Sequence, residues 1–280
     1  MEAALTIQQA LRWAQAQLPA SDSARLDAEV LLAFVLKKTR VHLYTWPEAE
    51  LPPEAHTQFA QLISARAKGE PIAYLTGTQE FWSLPLVTNR HTLIPRADTE
   101  LLVELALTLV PDGPLRVLDL GTGSGAIALA LASERPDWQL TGVDRVADAV
   151  ELARSNAARL KINNASFVPS DWFAALTGKR YDLIVSNPPY IDDADPHLTQ
   201  GDVRFEPRSA LVAPAAGLAD IQRITVDAGE HLAVGGYLML EHGWQQGSAV
   251  RDCLSAAGFV AVATHQDLAG RDRVTMGQRP

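Results

Sequence analysis

The sequence predicts an α/β protein in which a mostly parallel sheet, covered by helices on both faces, follows a small helical bundle. Three observations carry this expectation. From about residue 115 onward, short apolar runs alternate with stretches of helical periodicity, the pattern of consecutive strand and helix units. Val117, Leu118, Asp119 and Leu120 lead into Gly121, Thr122, Gly123, Ser124 and Gly125, then into an apolar run from Ala126 to Ala132, which reads as strand, turn and helix. Ahead of Gly69 and Pro71, apolar residues recur at helical intervals.

The bundle justifies itself helix by helix. Thr6 and Gln9 have the spacing of a capping box, and Ile7, Leu11, Ala14 and Leu18 share one helical face until Pro19 ends it. A second helix, Ala24 to Lys38, places Leu26, Val30, Leu31, Phe34 and Val35 together, and a third, Glu54 to Lys68, carries Phe59, Leu62 and Ile63. Trp13, Phe34 and Phe59 fall among these aliphatics and are expected in the bundle core. Residues 1–71 form this first domain and residues 72–95 a connector, where Thr76 to Phe81, Leu84 to Val87 and the apolar stretch Thr92 to Ile94 suggest a β-hairpin. The remaining domain spans 96–280. Its first helix runs through Leu101, Leu102, Leu105, Ala106 and Leu109. Strands are expected near 115–119, 138–143, 165–168, 181–186, 235–240 and 259–264, with helices near 124–134, 146–160, 218–231 and 247–257.

Composition narrows the function classes. The 280 residues are 47% hydrophobic and 20% charged, ordinary for a soluble globular protein. Residues 1–75 contain seven Lys or Arg against eight Asp or Glu, so −1 of the net −9 lies there and −8 on residues 76–280. Neither part offers the basic face that duplex recognition uses, so no direct nucleic-acid target is expected. Cys253 is the single cysteine, which excludes an intramolecular disulfide and a thiolate metal cluster; it is read as a small buried residue. No spacing of His and carboxylates matches a recognised metal site, and His197, His242 and His265 read as structural or surface residues. The absence of a long apolar run or a basic leader points to a cytoplasmic protein without a membrane partner.

Two motifs carry chemistry. Glycines in the turn from Gly121 to Gly125 let a ligand approach the backbone, and the following helix N-terminus presents N–H groups to acceptor atoms. With Ala126 the turn also completes Gly-x-Gly-x-x-Ala, a dinucleotide fingerprint, and Asp144 at the end of the next strand suits the ribose hydroxyls of NAD or of S-adenosylmethionine alike. The second motif is Asn187, Pro188, Pro189 and Tyr190, directly after the apolar run Tyr181 to Val185. An amide or exocyclic amine is a poor nucleophile until acceptors hold its hydrogens and aim its nitrogen. The Asn187 side-chain carbonyl and the proline-fixed Pro188 carbonyl can do this, while Tyr190 offers a flat face. The pair of motifs on one sheet favours methyl transfer to a planar nitrogen over hydride transfer. The polar loop from Ile191 to Pro214, with Asp192, Asp193, Asp195, Asp202, Arg204, Glu206 and Arg208, either covers the substrate entrance or is simply solvated.

Glu80-Phe81-Trp82, Leu93 to Glu100, Asp119 to Gly125, Ser170-Asp171-Trp172-Phe173, Asn187 to Tyr190 and Phe205-Glu206-Pro207 together resemble the bacterial release-factor glutamine methyltransferases, the PrmC/HemK family, over nearly the whole chain. One departure is Ala97, where the family commonly has proline. The resemblance implies a class I (Rossmann-like) methyltransferase fold with an N-terminal helical, substrate-docking domain and a hairpin connector. It also implies S-adenosylmethionine as donor and N5-methylation of the glutamine in the Gly-Gly-Gln motif of class I peptide chain release factors, by a monomer. Carried over, Gly121, Thr122, Gly123, Ser124 and Gly125 approach the donor's methionine part, Asp144 holds its ribose, Trp172 contacts its adenine, and Asn187 borders it. Asn187, Pro188, Pro189 and Tyr190 grip the substrate amide, with Asn187, Pro188 and Tyr190 catalytic; Asp119 orders the glycine turn. A glutamine methyltransferase acting on a ribosomal protein uses the same chemistry, and Asn-Pro-Pro-Tyr is shared with N6-adenine methyltransferases.

Overall fold

A computed structural model describes residues 5–280, which divide into two compact units: residues up to Thr78 together with Thr199–Phe205, and Gln79–Leu198 together with Glu206–Pro280. No helix among the described residues is long and apolar enough to cross a membrane.

The first unit is helical: α1 (Ile7–Ala16), α2 (Ala24–Leu36), α3 (Arg40–Thr45), α4 (Pro53–Ala67) and α5 (Ile72–Thr76). Thr6 and Gln9 close a reciprocal capping box, the Thr6 Oγ1 accepting from the Gln9 amide at 3.3 Å and the Gln9 Oε1 from the Thr6 amide at 2.9 Å. Ile7, Ala10 and Ala14 pack with Leu31, Leu32, Phe59 and Ile63. Trp13 meets the Phe59 ring edge-on at 6.2 Å. Phe34, expected in that core, is instead 41% exposed; helical spacing put it beside Leu31, but the buried stripe of α2 runs through Ala28, Leu31 and Leu32 and leaves Phe34 at its margin. Two carboxylates are buried here. Asp27 accepts from Ser21, Ser23 and Arg66, and Glu29 from Arg25 and Arg40. Arg66 also binds Asp202 at 2.9 Å, and Arg204 donates to the Lys68 carbonyl at 2.7 Å, which is how the chain segment 199–205 becomes part of this unit.

Next comes the hairpin β1 (Thr78–Phe81) and β2 (Leu84–Val87); the strand expected from Thr76 starts two residues later, because Thr76 ends α5 and Gly77 caps it. The third apolar stretch, 92–94, is not a strand. Both central hairpin residues, Trp82 (φ 50°) and Ser83 (φ 60°), are left-handed, as a two-residue turn between twisted strands requires. The strain is held by Trp82, whose amide donates to Glu100 and whose indole donates to Glu134, each at 2.8 Å.

Next come α6 (Glu100–Leu109), β3 (Arg116–Leu120), α7 (Ala126–Glu134), β4 (Gln139–Asp144), α8 (Ala147–Leu160), β5 (Ala165–Pro169) and β6 (Tyr181–Ser186). The four-residue turn α9 (Pro214–Gly217), α10 (Ala219–His231), β7 (Leu232–Glu241), α11 (Gly247–Ala256), β8 (Val260–Gln266) and β9 (Asp272–Gln278) complete the unit. The sheet runs β5-β4-β3-β6-β7-β9-β8. All neighbouring pairs are parallel except those made by β9, which is antiparallel to both β7 and β8. Strand β9 was not expected from sequence, and it makes the sheet mixed at one edge.

Alternation along β3 and β6 sends Val117, Leu183 and Val185 into the core on one face and Leu118, Leu120 and Ile184 into the other. Register then decides where chemistry can sit. Leu120 aligns with Val143 on one side and Ser186 on the other, and Ser186 aligns with Leu240. The glycine turn, Asp144, Asn187 and Glu241 therefore leave the sheet at one common edge, flanking β3, where strand order reverses.

Candidate active site

The edge opens into a cleft that is lined by Gly121, Thr122, Gly123 and Ser124 from the glycine turn, by Asp144 and Trp172, and by Asn187 and Pro189. Gly125 belongs to the turn without lining the cleft. At φ 83° it is left-handed, and a Cβ there would sit 3.1 Å from Ala153 and Leu129, so this glycine serves the close packing of α7. The N-cap Gly125 has no side chain to offer α7, and Asp119 serves only the Ala128 amide of its first turn; Ala126 and Ile127 border the cleft, where an open helix start favours electron-rich ligand atoms.

Two carboxylates shape the turn. Asp119 Oδ2 accepts from the Thr122 hydroxyl at 2.6 Å and from the Ala128 amide at 3.3 Å, tying the turn to the helix. Its burial pushes the carboxyl up to about 7, against the pull of those two donors. Asp144 Oδ2 accepts from the Gly123 amide at 3.0 Å and Oδ1 from the Val146 amide at 2.9 Å, which holds the carboxylate at the cleft wall.

Across the turn, Ser170 donates to the Trp172 carbonyl at 2.7 Å and accepts from the Ala175 amide at 3.0 Å, a local hydrogen-bonded loop that presents the tryptophan. Trp172 is half-buried with φ 48°. Its ring would lie 3.5 Å from a Cβ on Gly121 and also packs against the core of the second face. Nearby Asp220 has its carboxyl raised by burial, against the pull of the Arg145 charge and the Trp172 indole. Asp220 lines the cleft and carried no signal in the sequence.

Asn187, Pro188, Pro189 and Tyr190 leave β6 together but face different ways. The Asn187 Nδ2 donates to the Thr99 hydroxyl at 3.1 Å, while Pro188 is buried and does not line the cleft. Tyr190 does not line it either: its partly buried ring packs against the core and its hydroxyl donates to Glu241 Oε1 at 3.2 Å. The Tyr190 carbonyl accepts from Gln246 Nε2 at 3.0 Å. A Cβ on Gly217, at φ 81°, would come within 2.0 Å of that carbonyl oxygen, so only glycine permits this seat.

Residues 96–100 bracket this wall, and four of their side chains have partners. Arg96 pairs with Glu206, which also accepts from the Ile94 amide at 3.3 Å. Asp98 pairs with Arg273 at 3.3 Å, Thr99 accepts from Asn187, and Glu100 accepts from the Trp82 amide. Part of the loop after Tyr190 also lines the cleft through Ser209 and Ala210, and its ends pair with each other, the Ile191 amide donating to the Leu211 carbonyl at 2.9 Å and the Ala213 amide to the Ile191 carbonyl at 3.1 Å. Thr99, Glu206 and Glu241 were not expected at the site. The first two lie in segments that stand out as motifs, but Glu241 reads only as the polar end of an apolar strand.

A family model described as the PrmC N-terminal domain matches residues 9–77, and one described as a methyltransferase small domain matches residues 97–203. The chain is 54% identical over 273 residues to the release factor glutamine methyltransferase of Shewanella oneidensis, covering 97% of this chain and 96% of the relative. It is 54% identical over 268 residues to that of Escherichia coli, covering 96% and 97%. The fold resembles the crystal structure of a methyltransferase from Pyrococcus furiosus, with a TM-score of 0.55 at 17% identity, covering 79% of this chain and 98% of that one.

Proposed function

Because the chain belongs to the release factor glutamine methyltransferase family, we propose that it transfers a methyl group from S-adenosylmethionine to the side-chain amide nitrogen of the Gly-Gly-Gln glutamine in class I release factors. The observation that carries the reading is Asn187. Its NH2 group is turned to Thr99, so its carbonyl oxygen is left for an N–H donor at the cleft. The donor supplies a methyl group already activated on a sulfonium centre. The glycine turn and the bare start of α7 fit its carboxylate, Asp144 fits its ribose, and Trp172 fits its adenine.

Catalysis by this chain is then alignment. Asn187 Oδ1 and the Pro188 carbonyl, which leads directly into the cleft-lining Pro189, accept the two amide hydrogens and point the nitrogen at the methyl group. Both acceptors strengthen their bonds as the nitrogen gains positive charge, so the stabilisation is greatest at the transition state. Tyr190 supports this wall from inside.

The direct test incubates the enzyme with labelled donor and intact release factor and maps the label by mass spectrometry. Label on the glutamine of Gly-Gly-Gln is the expected result; label confined to a ribosomal protein or to nucleic acid overturns it. We assign docking of the protein substrate to residues 1–71, in a cytoplasmic, monomeric enzyme. Support comes from the exposed apolar side chains Phe34, Val41 and Trp46. Replacing these three with polar residues is expected to raise KM for intact release factor with donor affinity unchanged; an unchanged KM returns the unit to a structural role.

A further inference from the structure

Pro188 and Pro189 have no N–H, so the turn from Asn187 to Tyr190 lacks two backbone donors and depends on what holds its two ends. At the first end β6 is held by its ladder with β3, and the buried Ser186 hydroxyl donates to the Leu120 carbonyl at 2.7 Å. At the other end the Tyr190 carbonyl is met by the side-chain amide of Gln246. Its Nε2 donates to the Tyr190 and Ala216 carbonyls, each at 3.0 Å, and its Oε1 accepts from the Gly243 amide at 2.8 Å. A backbone N–H only donates and a carbonyl only accepts, so one orientation of the Gln246 amide satisfies all three bonds.

This clamp is firm on one side and strained on the other. The Gly243 carbonyl accepts from the Gln246 backbone amide at 2.9 Å and from Nδ1 of the fully buried His242 at 2.9 Å, and His242 Nε2 meets the buried Thr275 hydroxyl at 2.8 Å. Opposite it, Ala215 (φ 56°), Ala216 (φ 55°) and Gly217 (φ 81°) are three consecutive left-handed residues. A left-handed alanine is strained by its Cβ and persists where the surrounding contacts over-determine it. Here the turn delivers the Ala216 carbonyl to Gln246 and seats Gly217 against Tyr190. A Cβ on Gly217 would lie 2.0 Å from the Tyr190 oxygen and 2.8 Å from Gln246 Nε2. The Tyr190 carbonyl is thus stopped by one residue and bonded by the other.

We propose that Gln246 is a positioning residue for methyl transfer: by holding the Tyr190 carbonyl against Gly217 it fixes the far end of the Asn-Pro-Pro-Tyr turn, and with it the placement of the Asn187 and Pro188 acceptors. The proposal rests on the reading of those two acceptors as the grip on the substrate amide. Two successive prolines stiffen the turn, so a displacement at Tyr190 is carried back to Pro188 instead of being absorbed between them. A misplacement of about 1 Å at the reacting nitrogen can slow a reaction on the order of a hundredfold. Gln246 does not itself line the cleft, so its loss should register in the chemical step and not in donor affinity.

The test compares Gln246→Met, Gln246→Glu, Gly217→Ala and Asn187→Ala in single-turnover methylation of intact release factor, with donor affinity by calorimetry and melting temperature measured alongside. Gln246→Met keeps the length and removes all three bonds, and is expected to slow chemistry on the order of 10- to 100-fold with donor affinity within about threefold. Gly217→Ala pushes the same carbonyl from the other side and should slow chemistry likewise. Combining the two should cost less than the product of their separate effects, because both act through one carbonyl. Gln246→Glu supplies a rescue. Ionised, it still accepts from Gly243 but has no proton for the two carbonyls; protonated, it donates to one of them. Its rate relative to the starting enzyme at the same pH should therefore rise as pH falls from about 8 to about 6, a dependence that Gln246→Met lacks. A merely structural role would lower the melting temperature of the variants and leave the rate of the folded enzyme and this pH ratio unmoved. Rates within about threefold of the starting enzyme for both Gln246→Met and Gly217→Ala, with Asn187→Ala inactive, would overturn the clamp and leave the reading of Asn187 intact. Normal chemistry in Asn187→Ala would overturn both. Should Gln246→Met fail to fold, Gly217→Ala and the pH ratio of Gln246→Glu decide, and a near-normal rate in the first with a flat ratio in the second overturns the clamp.

Discussion

Two buried carboxylates of the helical unit, Asp27 and Glu29, and two of the three in the sheet unit, Asp119 and Glu241, are treated in opposite ways; the third, Glu206, is paired with Arg96. Asp27 and Glu29 are met by guanidinium groups: Arg66 binds Asp27 at 2.8 Å, and Arg25 and Arg40 bind Glu29 at 2.9 and 2.7 Å. Asp119 and Glu241 are met by hydroxyls and, for Asp119, an amide, with no ion pair to either among the described residues. Burial opposes ionisation of Glu29 too, but Tyr44, Arg40 and Arg25 outweigh it and hold the carboxyl below its ordinary range, while Asp119 and Glu241 rise to about 7. The first pair neutralises charge to hold helices together. The second retains acceptors with free capacity beside a cleft, an arrangement that costs stability and is found where a site needs directed polar groups.

The largest effect expected from this contrast is on Arg66, which binds Asp27, Asp202 and the Glu70 carbonyl. Arg66→Met leaves Asp27 as a buried carboxylate served only by Ser21 and Ser23, and is expected to destabilise the helical unit by about 3–5 kcal/mol. Denaturant unfolding followed by Trp13 and Trp46 fluorescence would read it. A change below about 1 kcal/mol would mean that the two serines suffice and that the cation is not what separates the two units.

Acid and base should then move the units in opposite directions. Glu29 has a lowered folded pKa, so its contribution is present above its ordinary value of 4.5 and is lost as pH falls through the lower folded value. Asp119 has a raised folded pKa, so its contribution is full below 3.8 and is lost as pH rises toward 7. The penalty of Glu29→Gln should therefore be larger at pH 7 than at pH 3. The penalty of Asp119→Asn should be larger at pH 4 than at pH 8, where the asparagine no longer competes with a proton-holding carboxyl. Parallel melting-temperature profiles for the two variants would contradict the contrast.

Part of this was legible in the sequence because it is local. The capping box at Thr6 and Gln9, the glycine turn, the strands ending at Asp144 and Ser186, and the helices between them all follow from neighbours within a few residues. The missing parts depend on distant partners. Strand β9 alternates polar and apolar residues from Arg273 to Met276, yet it is buried along Arg273, Val274, Thr275, Met276 and Gly277, because its polar members find partners elsewhere in the chain; Thr275 is satisfied by His242 and Thr264, both remote in sequence. Glu241 gives no signal because its partner, the Tyr190 hydroxyl, lies 51 residues away in the chain. Phe34 was misplaced because periodicity assigns a face without saying how wide the buried stripe is.

Rings sharpen the comparison next. Phe59 is fully buried in the helical core, whereas Trp172 is half-buried at the cleft. Stacking on a base is worth ~1–3 kcal/mol, so Trp172→Ala should weaken donor binding by about one to two powers of ten and change the melting temperature little. Unchanged affinity with a large loss of stability would place Trp172 with Phe59 as a core filler.

The smallest effect concerns how helices begin. In the helical unit α1 starts with a complete capping box, and in the sheet unit α7 starts at Gly125, which has no side chain to cap it; Asp119 takes the Ala128 amide, while Ala126 and Ile127 border the cleft. A capped start satisfies its own amides; a bare one leaves them for a ligand. Thr6→Ala removes one acceptor from the Gln9 amide and should cost about 1 kcal/mol of helical-unit stability, with donor affinity unchanged. The bare start of α7 should reveal itself only when donor is present: hydrogen exchange at Ala126 and Ile127 should slow on donor binding, while exchange at Gln8 and Gln9 stays the same. Equal slowing at both helix starts would show that donor binding tightens the protein generally, and the difference between a capped and an uncapped helix would then carry no functional meaning.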